Sequence, residues 1–236
     1  MSAGGGSASD LEPVPRSTAA IVGALFLVAT GLFVVGQFLT APILGSPDYL
    51  RVAFPESTPV VAGILIELVA VLAIPLIALA LYPVLRRHDE IAALGYVGLR
   101  ILEAAALLLV EVINWATVQW SRSYVEGGTA TGPTWEVVAR AFRAVSESAF
   151  TLSVAVIFPC GALLLNHVLW RAKLVPRFIS GWGLAAGALL LAGSVLVFFD
   201  LLPAAPSEGV EAALPAPIAI QEMVLALWLI AKGFGA

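Results

Sequence analysis

The sequence is poor in the residues that soluble catalytic and metal-binding domains use. It has one cysteine, two histidines and few charges: 12 Lys and Arg with 16 Asp and Glu make up 12% of its 236 residues. A lone Cys160 excludes a disulfide framework or a cysteine-rich zinc site within one chain. A soluble domain carries about 25% charged residues, so an ordinary cytosolic globule, a disordered chain and a nucleic-acid binder with a basic face are excluded together. No Gly-rich phosphate loop, Gly-x-Ser-x-Gly or paired-His motif occurs, and no internal repeat stands out. No cofactor, metal or nucleic-acid partner is therefore expected.

What is present is apolar length. Hydrophobic residues make up 60% of the chain, against about 45–50% in a soluble domain, and the mean hydropathy is +0.99. A helix needs about 20 mostly apolar residues to cross the hydrocarbon layer. Six stretches qualify, at 18–41, 59–84, 91–118, 146–169, 179–200 and 214–232. The expected architecture is all-α: a polytopic transmembrane bundle of six spans over residues 18–236, with residues 1–17 a disordered Gly/Ser/Pro tail. Ser57-Thr58-Pro59 predicts a capped helix start. Arg86 to Glu90 and Lys173 to Arg177 predict short charged turns. Pro75, Pro83 and Pro159 predict kinks, or a helix end at Pro83.

Lys and Arg fall unevenly on the two sides. One side holds Arg16, Arg86, Arg87, Arg171, Lys173, Arg177 and Lys232, and the other holds Arg51, Arg122, Arg140 and Arg143. The positive-inside rule then puts both termini in the cytoplasm, with the chain in the cytoplasmic membrane and the lipid bilayer as its first partner. The third loop, 119–145, reads as a turn at 127–133 followed by helix. Arg143 and Glu147 share a face there at four-residue spacing and predict a solvated pair.

The third span carries the informative pattern. At 3.6 residues per turn, Arg100, Glu103, Glu111 and Asn114 lie at about 0°, −60°, +20° and −40°, an arc of about 80° on one face. Charge at mid-membrane costs about 2.5–3.5 kcal/mol per residue on the insertion scale, so this stripe must face other helices or a wet cavity. Counting depth at 1.5 Å per residue sets Arg100 about 13 Å and Glu103 about 18 Å from one edge. Glu67 and Glu222, entering from the opposite edge, reach similar depths. The expectation is one Arg100 ringed by Glu67, Glu103 and Glu222, with Glu111, Asn114, Glu147 and Asp200 nearer the outer mouth. His88 and His167 lie at the inner end, away from the acids.

Three segments then bear a family resemblance: Leu99-Arg100-Ile101-Leu102-Glu103-Ala104-Ala105, Leu174-Val175-Pro176-Arg177-Phe178-Ile179 with Gly181 after it, and the ending from Glu222 through Trp228 to Lys232-Gly233. In order and spacing the chain after residue 17 resembles the bacterial membrane family called domain of unknown function 4386. The resemblance implies the same architecture and singles out Arg100, Glu103 and Glu222. It implies no activity, cofactor or partner.

Three functions fit these residues. The acid excess of the stripe fits a site for a small molecule or ion, a proton or cation, in the outer half of the bilayer. Paired carboxyls also fit acid–base chemistry on a lipid or isoprenoid, which leaves enzymatic activity open. The same residues fit a buried ion-pair lock in a structural or accessory subunit. Oligomeric state is not legible.

Overall fold

The computed structural model describes residues 15–127, 133–199, 201 and 214–235. No strand occurs among the described residues, and eight α-helices with one π-helical turn account for nearly all of them. Helix α1 is Arg16–Leu44, α2 is the single turn Tyr49–Val52, α3 is Ser57–Leu85 and α4 is Glu90–Glu126. Helix α5, Pro133–Leu152, runs through a π turn, Ser153–Ile157, into α6, Phe158–Ala172. Helices α7, Arg177–Phe198, and α8, Ala216–Ala231, complete the described chain.

Five helical stretches are long and apolar enough to cross a membrane: α1, α3, α4, the α5–α6 unit and α7. The sixth expected span is the apolar helix α8, which has 16 residues, about 24 Å at 1.5 Å per residue. That is shorter than the roughly 30 Å hydrocarbon layer. Large apolar side chains point outward all round, among them Phe38, Leu65, Leu72 and Leu79. A water-facing surface of this kind would be an aggregation liability. In lipid it is the expected exterior of a helical bundle.

Local chemistry explains the start of α4 and the turn before α6. Asp89 caps α4 by accepting the Ala92 N–H at 2.9 Å, and Glu90 in the first turn suits the positive end of the dipole. The turn expected at residues 86–90 lies between α3 and α4. Pro159 has no N–H to give its i−4 carbonyl. The turn before it widens instead, and the Phe158 N–H donates to the Ser153 carbonyl five residues back.

Three expectations are corrected. Pro83 does not end α3, which continues to Leu85 and carries both Pro75 and Pro83 inside it. Ser57 and Thr58 are helical themselves, and the capping position is Glu56, with no side-chain bond. The loop expected from residue 119 starts later, because α4 extends to Glu126, and α5, from Pro133, is the helix expected after the turn. At 37 residues, α4 is about 55 Å long and overshoots any bilayer. The tail at 1–14 and Asp200 fall outside the described residues.

The helices close into a ring in the order α1, α3, α4, α5–α6, α7, α8 and back to α1. Arg16 donates to the Ala231 carbonyl at 2.7 Å and the Gly235 N–H to the Leu174 carbonyl at 2.9 Å. These bonds place the start of α1, the end of α8 and the α6–α7 turn at one end of the bundle. That end is packed dry by the largest apolar cluster, built from Phe26, Ile77, Leu81, Leu169, Ile179 and Leu229 among others. A smaller cluster around Leu44, Ile64 and Val118 marks the opposite end. The polar stripe of α4 runs between the two.

Candidate functional site

The stripe divides into two separate clusters. In the lower one, Arg100 and Glu103 are 3% and 5% exposed and form an i,i+3 pair, Nη1 donating to Oε2 at 2.9 Å and to Oε1 at 3.3 Å. The Arg100 guanidinium also lies 5.8 Å from the ring centroids of Tyr96 and Phe158, within cation–π range. Gly161 on α6 faces its stem. Glu222 on α8 is half-buried and lies within electrostatic range of both Arg100 and Glu103. The guanidinium is thus held by one acid and two rings, with a second acid nearby. Arg100 Nε and the Tyr96 hydroxyl have no partner among the described residues.

The upper cluster gathers on Glu67. Its carboxylate accepts from Gln37 Nε2 at 2.9 Å and from Thr40 Oγ1 at 2.9 Å, both on α1. Its carboxyl also lies beside that of Glu111 on α4. Gly36 makes the approach possible, because a Cβ there would lie within 2.9 Å of Glu67 Cδ and Oε1. Asn114 Nδ2 donates to Glu111 at 3.4 Å, and Arg143 Nη1 donates to Asn114 Oδ1 at 3.4 Å. Arg143 Nε reaches Glu147 at 3.2 Å, the solvated pair expected from their spacing. Glu67, Glu111 and Asn114 are buried, whereas Glu147 is exposed.

A cavity of about 240 Å³ opens beside this chain of contacts. Gln37, Thr40, Asn114, Arg143, Ser146 and Glu147 line it, with Val110 and Phe150 supplying apolar wall. Gln37 and Thr40 therefore stand between the cavity and the Glu67 carboxylate.

The structure separates what depth counting had joined. Arg100, Glu103 and Glu222 do come together, but Glu67 does not complete their ring. The Phe54 N–H donates to Ser121 Oγ at 2.7 Å, which sets the head of α3 level with Ser121. Descending α3 from there brings Glu67 beside Glu111, about 12 Å along α4 from Glu103. Glu111, Asn114 and Glu147 lie together toward the far end, as their depths implied.

Charge counting also missed residues. Gln37, Thr40, Tyr96 and Phe158 carry no charge, although Gln37-x-x-Thr40 is a polar i,i+3 pair on one face of an apolar run. Asn166 and Gln221, both buried, are bonded at 3.2 Å between α6 and α8, with Gln221 also donating to the Ile179 carbonyl at 3.1 Å.

A closed ring of apolar helices around a buried polar stripe defines a multi-pass membrane protein. A family model described as a domain of unknown function, DUF4386, matches residues 21–233, and the chain belongs to that family. No curated protein and no solved structure matches it.

Proposed function

We propose that this DUF4386 protein binds or transports a small molecule or ion through the polar cavity beside the Glu67–Glu111 pair. One observation carries the reading. A cavity of about 240 Å³ is lined by convergent polar groups from α1, α4 and α5, and the buried acids Glu67 and Glu111 stand side by side behind that lining. Pockets with a few convergent polar groups in an apolar wall are the usual form of a small-molecule site. Intramembrane acids beside such a pocket favour a cation, or a proton exchanged against the ligand.

The reading places six spans in the cytoplasmic membrane. The end bearing Arg16, Arg86, Arg171, Lys173 and Arg177 faces the cytoplasm by the positive-inside rule, and the cavity opens on the opposite side. Helix α8 is the sixth span, crossing a locally thinned layer or drawing on its flanking residues. Arg100 and Glu103 belong to a second reading. Their buried geometry favours a lock that fixes the register of α4 against α6 and α8.

The test is a binding screen by thermal shift on purified protein in detergent, using sodium, guanidinium, ethanolamine and glycine as probes at several pH values. A probe that stabilises the protein and loses its effect in Gln37→Leu and Arg143→Leu supports the cavity. A stabilising effect unchanged in both variants, or none from any probe, refutes it.

A further inference from the structure

The inner end of the bundle, as oriented above, carries a second cavity, of about 180 Å³, unrelated to the polar stripe. His88 and Asp89 from the α3–α4 turn line it together with His167 and Arg171 from the last turns of α6. His167 and Arg171 are four residues apart and so share one face of α6. Arg171 makes no ion pair among the described residues. The acid of the cavity, Asp89, is occupied as the cap of α4, its Oδ1 accepting the Ala92 N–H. Three N–H donor groups thus converge on a space several times the roughly 30 Å³ share of one water. Further cations stand around this end, including Lys173 and Arg177, the latter stacked 5.7 Å over the Trp170 ring.

We propose that this cavity binds the phosphate of an anionic phospholipid. A phosphate diester offers oxygens to a guanidinium and to imidazole N–H groups at once, the pattern in which charge-assisted bonds are strongest. Basic pockets at the inner ends of membrane helices are a recurring form of headgroup site. Inorganic phosphate shares this chemistry, and the surroundings decide for the lipid. Ile91, 85% exposed and two residues beyond Asp89, and the exposed Trp170, next to Arg171, lie where acyl chains and the interface meet the bundle. The site depends on the chain being a membrane protein and is independent of the outer cavity's role.

Native mass spectrometry of the full chain, released from detergent after titration with phosphatidylglycerol or phosphatidylcholine, tests the proposal. Phosphatidylglycerol should bind in preference to phosphatidylcholine, and Arg171→Gln with His88→Gln should weaken it roughly tenfold, the loss of a charged hydrogen bond. Arg122→Gln at the far end should leave it unchanged. Asp89→Asn keeps a capping side chain while removing the negative charge, and should tighten binding. This variant keeps the test decisive if the double variant fails to fold. Equal binding of both lipids, unchanged binding in a folded double variant, or weaker binding in Asp89→Asn overturns the proposal. Displacement of the lipid by an equal concentration of inorganic phosphate overturns the lipid as the source.

Discussion

The Arg100–Glu103 pair gives the sharpest prediction, because lock and ligand site respond oppositely to its removal. Arg100→Gln leaves two acids, Glu103 and Glu222, facing one another with no counter-ion where Arg100 and Glu103 are 3% and 5% exposed. Breaking a buried pair from one side costs about 3–5 kcal/mol. At about 2–4 °C per kcal/mol for a chain of this size, the melting temperature should fall by about 6–20 °C. Glu103→Gln should cost less, since Glu222 still faces the guanidinium. Replacing both, as Arg100→Met with Glu103→Leu, removes the unpaired charge and should recover most of the loss. Thermal unfolding of the four proteins in one detergent, followed by intrinsic fluorescence, compares them. If Arg100→Gln melts within about 2 °C of the parent, or the double variant is worse than either single one, the pair is not a lock.

Four further predictions follow from single contacts. Gly36→Ala should drive Glu67 off Gln37 and Thr40, costing about 1–3 kcal/mol by overpacking and abolishing any ligand-induced thermal shift; an unchanged melt would show that α1 and α3 do not approach so closely. Gln221→Leu leaves the buried Asn166 Oδ1 without its donor and should cost about 1–3 kcal/mol in the same melt. Asp89→Ala removes the α4 cap and should cost about 1 kcal/mol, with Asp89→Asn nearly neutral. Burial, and then the positive charge of Arg87, hold the His88 imidazole below the ordinary histidine range. The unfolded chain therefore binds that proton more readily, so the His88 contribution to stability is complete above the unfolded value of about 6.5 and declines as pH falls through it. His88→Gln should flatten that part of the pH–stability curve. In the lipid-free protein, a His88 NMR titration midpoint above the free-histidine value would contradict this reading.

The apolar runs declared the helices because lipid demands long uncharged stretches, and the α4 stripe declared its inward face because charge at that depth has nowhere else to go. Neither signal carries register. Whether Glu67 meets Glu103 or Glu111 depends on how far α3 stands along α4, and one bond from the Phe54 backbone to Ser121 decides it. Hydropathy is equally silent on the extra length of α4, since residues 119–126 are polar enough to read as loop yet have the helical spacing to continue. Gln37 and Thr40 escaped notice for a different reason. An uncharged polar residue in a span costs too little to force an interpretation, although here two of them hold a carboxylate in place. The Arg143–Glu147 contact was legible because it is local to one helix.

The closure of the ring has a consequence for biosynthesis. Helix α1 leaves the ribosome well before α8, and its main partner, α3, follows soon after it. Its other partner is α8, the last described helix, and Gly23 of α1 is opposed so closely by the Ala226 carbonyl and the Ile230 side chain that no other residue type fits the seam without displacement. Part of the final environment of α1 therefore does not exist until about 170 further residues have been translated. During that interval α1 must be tolerated by lipid or shielded by the insertion machinery. The 16-residue α8 then acts as a keystone, seated after the other described helices and pinned by Arg16 at its terminal carbonyl.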